Sequence, residues 1–81
     1  MRATVHVSLK EGVLDPQGKA VGQALGRLGF DEVSEVRLGR TVNLELEAKS
    51  EAEARERLVE MCEKLLANTV IEDYRIELGE D

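Results

Sequence analysis

Hydrophobic and polar residues alternate along three stretches of the chain. The alternation runs through residues 3–9, 42–47 and 74–78. A period of two is typical of a β-strand with one buried face. Between the first two stretches, Val33, Val36 and Leu38 lead into residues 42–47 through Gly39-Arg40. This link predicts a further strand and a two-residue hairpin turn, of type II′ because the glycine comes first.

Residues 16–28 instead repeat their apolar positions every three or four residues, as an amphipathic helix does. Asp15 can accept the free amides of the first turn, and Pro16 stands where no N–H is needed. Gly29 follows the last turn and ends the helix. The helix also contains three glycines spaced four apart, Gly18, Gly22 and Gly26. Because each costs roughly 0.5–1 kcal/mol relative to alanine, a close approach is expected there, and packing inside the chain is favoured over a contact between chains.

A second helix begins with a capping box, in which Ser50 is followed three residues later by Glu53. Its apolar face consists of Ala54, Leu58, Met61, Cys62, Leu65 and Leu66. Asn68 supplies a left-handed cap after this helix, and the last strand follows.

The elements follow one another in the order βαββαβ. Two right-handed crossovers in that order give an antiparallel sheet with both helices on one face. We therefore predict an α+β fold, a ferredoxin-like two-layer sandwich formed by residues 1–81 as a single domain. The other face of the sheet is left bare, and its small or neutral residues suit contact with another subunit. This candidate self-association face consists of Thr4, His6, Ser8 and Asn43.

Composition narrows the possible functions. A domain of 81 residues buries only around 60% of its unfolded surface, so oligomerisation is expected. The net charge of −6 opposes phosphate backbones, which excludes nucleic acid as a partner. A single cysteine fits a reducing compartment, and the chain shows neither a signal-like segment nor an apolar run of membrane length. We expect a cytoplasmic protein without membrane contact.

The residue types that carry catalysis are scarce. His6 is the only histidine and has no nucleophile or acid at a recognisable spacing. Cys62 lies on the apolar stripe of the second helix and is interpreted as core. Glu45 and Glu47 share a strand face, which is more often solvated than metal-binding. Gly12 lacks the further glycines of a phosphate loop. No catalytic, cofactor-binding or metal-binding residue is therefore predicted.

The segment between the first strand and the first helix contains more than a turn and a cap require. Gly12, Asp15 and Pro16 have structural explanations, but the apolar and polar residues around them do not. We interpret these residues as a candidate surface for contact with a partner: Lys10, Glu11, Val13, Leu14, Gln17 and Lys19.

With these motifs placed, nearly the whole chain resembles the PurS family, the small subunit of phosphoribosylformylglycinamidine synthase. The most specific segments are LKEGVLDPQGKAV, at residues 9–21, and MCEKLLAN running into VIEDY, at residues 61–74. A third, at residues 28–40, is shared with many small sandwiches. Thr69 departs from the proline that often follows the asparagine in this family, which puts only the rigidity of that turn in doubt.

The resemblance implies a non-catalytic subunit of an ATP-dependent, glutamine-using carbon–nitrogen ligase of purine biosynthesis. The enzyme converts formylglycinamide ribonucleotide to its amidine. The resemblance further implies that ATP, magnesium and glutamine are used by the other subunits, the large synthetase PurL and the glutaminase PurQ. The small subunit is expected to form a homodimer, with a dimer of dimers left open. It would bridge the other two subunits and could help to seal a passage for ammonia.

Two other functions share the same order of elements. A dimeric ACT-like module would bind a regulatory ligand through a glycine-bearing loop after the first strand, and Gly12 is compatible with this. Such modules normally accompany a catalytic domain. An RNA-recognition sandwich needs stacking aromatics on its central strands, where this chain has His6, Ser8, Asn43 and Glu45. We therefore retain the ACT-like module as the alternative and reject the RNA-binding fold.

Overall fold

Both predicted helices and three of the four predicted strands form. The structure, a computed structural model, describes residues 1–79. The strands are β1 (Arg2–Leu9), β2 (Gly39–Glu45) and β3 (Glu72–Gly79). The helices are α1 (Pro16–Arg27) and α2 (Glu51–Met61), and α2 continues into a π-helical turn, Cys62–Leu66. Ser50 Oγ accepts a hydrogen bond from Glu53 N at 3.1 Å, which confirms that Ser50 caps α2.

The sheet is antiparallel, with β1 between β2 and β3. Val5 lies opposite Val42 on one side and Ile76 on the other, so the alternating apolar residues of all three strands share a face. Those at the centre are the most buried, because Ala3, Val5 and Val7 are between 0% and 3% exposed. The predicted period of two is confirmed for all three strands.

One small cluster forms the core, where α2 covers the apolar face of β1. Leu58 and Cys62 are both 0% exposed and pack with Val5 and Val7. Half-buried residues of β2, β3 and the π-helical turn surround them. The predicted α+β fold class with an antiparallel sheet is confirmed, as is the interpretation of Cys62 as a core residue.

Residues 33–38 differ from the prediction, because they form no strand and Gly39-Arg40 is no hairpin turn. Gly39 and Arg40 are instead the first residues of β2, paired with Ser8 and Val7. The backbone before them is held by α1 rather than by the sheet. Leu38 N donates a hydrogen bond of 2.7 Å to Asp15 Oδ2 at the start of α1. Val36 therefore packs on α1 at Gly18 and Gly22, whereas Val33 and Leu38 stay largely exposed. The spacing of these three residues could not distinguish this arrangement from a strand.

Helix α1 contributes nothing to the core cluster. Gly18 is its only buried residue, Val21 is 39% exposed, and Leu28, which follows the helix as its C-cap, is 73% exposed. The sandwich places α2 over the sheet, while α1 with residues 33–38 forms a separate lobe. We call this lobe, residues 16–38, the α1 lobe.

The glycines of α1 allow its close contact with residues 33–38. A Cβ on Gly18 would overlap the Val36 carbonyl oxygen and lie 2.8 Å from Asp15 Oδ2. At Gly22 the nearest atom would be Val36 Cγ2 at 3.5 Å, and at Gly26 no atom lies within 4 Å. A close approach inside the chain is thus confirmed at Gly18, against residue 36 instead of the sheet, whereas Gly22 makes an ordinary contact with the same residue.

This geometry predicts opposite effects for two chemically identical substitutions. Gly18→Ala should lower the urea midpoint of unfolding, because the added methyl group forces Val36 away from α1. Gly26→Ala should raise the stability by up to about 1 kcal/mol, since alanine favours the helix and meets nothing there. Urea unfolding followed by circular dichroism measures both, and equal effects of the two substitutions would contradict this packing.

The core predicts a second matched pair of substitutions. Leu58→Ala should lower the free energy of unfolding by about 2–5 kcal/mol, because Leu58 is fully enclosed. Leu65→Ala is the control, since that side chain is 82% exposed and surface changes stay within about 0.5 kcal/mol. A large loss from Leu65→Ala in urea unfolding would show that the core extends beyond the cluster described above.

Candidate functional site

The connection between β1 and α1 is a fixed turn. Lys10 N donates to Ile71 O at 2.8 Å, which ties the end of β1 to the residues before β3. Val13 N then donates to Lys10 O at 3.1 Å. Gly12 adopts a φ of +88°, a value that favours glycine, so the turn explains this residue. The turn leaves Leu14 at the surface, 72% exposed.

Asp15 connects this turn, α1 and residues 33–38. The carboxylate is buried, with Oδ1 accepting from Gly18 N and Oδ2 from Leu38 N, both at 2.7 Å. These two backbone donors, Leu38 first, hold the pKa of Asp15 below its ordinary value, and nearby Arg37 adds to the effect. Asp15 therefore caps α1, as predicted, and also fixes the α1 lobe.

Leu14 separates two shallow grooves. One, of about 370 Å³, lies along α1 and is closed on the far side by residues 33–37. The other, of about 390 Å³, lies at the end of the sheet, where Val13 and Leu14 meet Leu38 and Ile71. Ile71 and Leu38 are 39% and 40% exposed, so this groove presents apolar surface to solvent. An exposed leucine between two grooves is suited to contact with a protein surface.

The structure brings together only part of the predicted partner surface. Val13, Leu14 and Gln17 line the groove at the end of the sheet, and Lys19 lines the groove along α1. Lys10 lies apart, because its Nζ is 2.8 Å from Asp73 Oδ1. Glu11 is exposed. That these six residues contact a partner stays a prediction.

An ion pair beside the groove was not predicted from the sequence. Arg40 Nη1 is 2.7 Å from Glu72 Oε2, and Arg40 Nη2 donates to Leu66 O at 2.5 Å. Glu72 Oε1 also accepts from Asn68 N at 2.7 Å. The contact with Arg40 lowers the pKa of Glu72. The pair joins β2 to the start of β3, and the bond to Leu66 ties Arg40 to the end of the π-helical turn. Partners 32 residues apart leave no local signal in a sequence.

The bare face of the sheet is polar and internally paired. Thr4 Oγ1 donates to Asn43 Oδ1 at 3.1 Å, and His6 Nε2 is 3.3 Å from Glu77 Oε2. Glu77 also pairs with Arg75, which is the main cause of its lowered pKa. The four residues Thr4, His6, Ser8 and Asn43 do share this face. Self-association through them stays a prediction.

Two side chains that could take part in chemistry, Cys62 and Tyr74, have structural roles instead: Cys62 is enclosed in the core, and the Tyr74 hydroxyl is hydrogen-bonded. Burial raises the pKa of the Cys62 thiol, which makes it a poor nucleophile. The Tyr74 hydroxyl donates to Glu63 Oε2 at 2.7 Å, which raises the pKa of Tyr74 to about 12. Among residues 1–79, no three His, Cys, Asp or Glu side chains gather as metal ligands would. Within the same residues, no helix has the length and apolar character to cross a membrane.

Comparison with known proteins identifies relatives over almost the full length. The profile of a family named PurS, described as phosphoribosylformylglycinamidine (FGAM) synthase, matches residues 2–80. The phosphoribosylformylglycinamidine synthase subunit PurS of Bacillus subtilis is 54% identical over 79 residues, which cover 98% of this chain and 93% of the relative. The corresponding subunit of Methanocaldococcus jannaschii is 44% identical over 77 residues, covering 95% and 93%.

Solved structures agree with this result. A crystal structure of B. subtilis PurS superposes with a TM-score of 0.88 at 54% identity and covers 98% of both chains. A chain in the structure of PurLQS from Thermotoga maritima superposes with a TM-score of 0.86 at 32% identity, covering 94% of this chain and 93% of that one.

The two hydrogen bonds of Asp15 predict a pH-dependent effect of Asp15→Asn. The oxygen of asparagine can still accept from Gly18 N, but its NH2 group then faces Leu38 N, donor against donor. The variant should therefore unfold at a lower temperature at pH 7. Because folding lowers the pKa of Asp15, its contribution is complete above the ordinary value of 3.8 and is lost as the pH falls through the folded pKa. Melting curves from pH 7 to pH 2 should therefore converge in acid, and a constant difference would contradict this role.

Proposed function

The chain belongs to the PurS family of phosphoribosylformylglycinamidine synthase, and we propose that it acts as the non-catalytic assembly subunit of that ligase in purine biosynthesis. The observation that carries this proposal is the match over residues 2–80, which leaves no room for a separate catalytic domain within these residues. The enclosed Cys62 and the hydrogen-bonded Tyr74 are consistent with a chain that supports chemistry elsewhere.

The proposed partners are a second copy of the chain, the synthetase PurL and the glutaminase PurQ. The relative from T. maritima that superposes on this chain comes from a structure named PurLQS, which supports this set. In the proposal, the synthetase uses ATP and magnesium, the glutaminase releases ammonia from glutamine, and this chain bridges them in the cytoplasm. It would also help to seal the passage of ammonia between them.

The surface we assign to the larger partner is the Val13-Leu14 turn. Leu14 is 72% exposed and lies between two grooves, while the hydrogen bonds of Lys10 and Asp15 hold the turn in place. A preorganised apolar side chain loses little conformational freedom on binding, which favours it as an anchor. The relatives support this assembly role over an ACT-like ligand module, which shares only the order of elements predicted from the sequence.

Reconstitution tests the assembly role. The purified chain is mixed with PurL and PurQ, and glutamine-dependent formation of the amidine is measured with and without it. We expect activity to depend on the chain, while activity with free ammonia depends on it less, because ammonia bypasses the glutaminase. Equal glutamine-dependent activity without the chain would overturn the proposal.

The turn is tested within the same assay. Val13→Ser combined with Leu14→Ser should weaken the complex by tenfold or more, since a central apolar anchor contributes at least about 1.4 kcal/mol to binding. The matched control is Val59→Ser with Leu65→Ser, two side chains 40% and 82% exposed on α2 and the π-helical turn. Sedimentation of the complex measures both, and an equal loss from the two variants would remove the turn from the interface.

A further inference from the structure

Two arginines lie beside Leu14, one in each of the grooves that this leucine separates. Arg37 lines the groove along α1, and Arg40 lines the groove at the end of the sheet. A backbone carbonyl holds each side chain. Arg37 Nη2 donates to Lys10 O at 3.2 Å, and Arg40 Nη2 donates to Leu66 O at 2.5 Å. The two guanidinium groups are therefore anchored on either side of an exposed apolar side chain.

Both guanidinium groups keep hydrogen-bond donors that the chain does not use. Each arginine has five N–H groups. Within residues 1–79, Arg37 uses one of them, on the Lys10 carbonyl, and forms no ion pair. Arg40 uses three, two on Glu72 and one on the Leu66 carbonyl. Four donors on Arg37 and two on Arg40 are thus left for another molecule.

The carboxylates near Arg37 do not neutralise it. Asp15 lies closest in the fold, but each of its oxygens already accepts from a backbone amide, Gly18 N or Leu38 N. The same groove also contains Lys19 and Glu35, which form no ion pair within residues 1–79. The exposed charges of this groove are therefore two cations against one carboxylate, in a chain whose net charge is −6.

The arginines of the bare face are a less favourable site for an anion. Arg2 and Arg75 pair there with Glu45 and Glu77, whose side chains are 75% and 54% exposed. An incoming carboxylate would meet these exposed acids as well as the arginines, and like charges repel. Glu72, the partner of Arg40, is only 13% exposed, whereas Arg40 itself is 50% exposed. Attraction of an acidic group is therefore stronger beside Leu14 than on the bare face.

We propose that Arg37 and Arg40 bind carboxylates of an acidic segment of the larger partner, PurL, and that an apolar side chain next to those acids packs against Leu14. A guanidinium and a carboxylate form paired, charge-assisted hydrogen bonds of defined geometry. Leu14 then supplies the apolar contact, and the two arginines fix the direction in which the segment lies. The inference rests on the proposed function, since it takes PurL as the occupant, and it adds what the docked segment must contain.

Removal of the two charges tests the site. Arg37→Gln with Arg40→Gln should raise the Kd of the chain for PurL, measured with PurQ present, by about tenfold or more at low salt. The difference from the unchanged chain should shrink at high salt, because dissolved ions screen exposed charges. Titration calorimetry at two salt concentrations measures both effects.

The matched control for this experiment is Arg55→Gln with Arg57→Gln on α2. It removes the same charge, and it too combines an arginine that forms no ion pair within residues 1–79 with one that is paired, Arg57 with Glu60. The control should leave the Kd unchanged. An equal loss from the two variants, or a loss that salt does not reduce, would overturn the proposal.

Carbodiimide coupling identifies the occupant, because it joins a carboxylate to an amine in contact with it. Arg37→Lys keeps the positive charge, supplies the amine and leaves Arg40 with all its bonds. In the complex with PurL and PurQ, mass spectrometry should find position 37 joined to an Asp or Glu of PurL. Arg55→Lys is the control and should give no bond to PurL. Coupling of position 37 to PurQ, to a second copy or only within the chain would overturn the proposal, as would no coupling.

The two proposals fail separately. If glutamine-dependent activity requires the chain but the change at Arg37 and Arg40 leaves the Kd unaltered, the assembly function stands and the carboxylate site is wrong. If the chain binds PurL through these arginines but activity does not require it, the carboxylate site stands and the assembly function is wrong.

Discussion

The fold depends on the burial of the inner face of β1 under α2. Val5, Leu58 and Cys62 are fully enclosed there, and the strands on either side of β1 are anchored by their pairing with it. Nothing comparable exists in the α1 lobe, where polar contacts carry the architecture instead. Asp15 receives two backbone donors, and Gly18 allows the Val36 carbonyl to approach α1. The chain thus joins a small apolar core to a lobe positioned mainly by one carboxylate.

Local patterns predicted most of the elements, because strand alternation and helix capping are decided within a few residues. The caps at Asp15 and Ser50 and the three alternating strands are confirmed. The hairpin at Gly39-Arg40 was wrong, since whether Val33, Val36 and Leu38 join a sheet or a helix depends on where α1 lies. That position is set by Leu38 N and Asp15, which are 23 residues apart. Non-local hydrogen bonds of this kind have no signature in a single sequence.

In the candidate site, too, the local features were predicted from the sequence and the non-local ones were not. The Val13-Leu14 turn was predicted as a partner surface because neither the turn nor the helix cap explains these apolar residues. The structure leaves Leu14 at the surface. It did not reveal that Leu38 and Ile71 join the same groove, nor that Arg40 and Glu72 fix its border. Lys10 was grouped with the turn by proximity in sequence, yet the alternation of β1 directs its side chain to Asp73 on the bare face.

In a chain this small, the apolar surface that folding leaves unburied is also the surface available for binding. An 81-residue domain cannot bury two helices and three strands equally well, and here Val21 of α1 and Leu28 at its end stay in solvent. Such exposure would be a liability for a solitary protein, whereas in an assembly subunit it is the means of association. The family to which the chain belongs gives a reason for this arrangement. A subunit whose task is to hold others together can leave part of its own core to be completed by its partners, and its apolar surface then becomes binding surface.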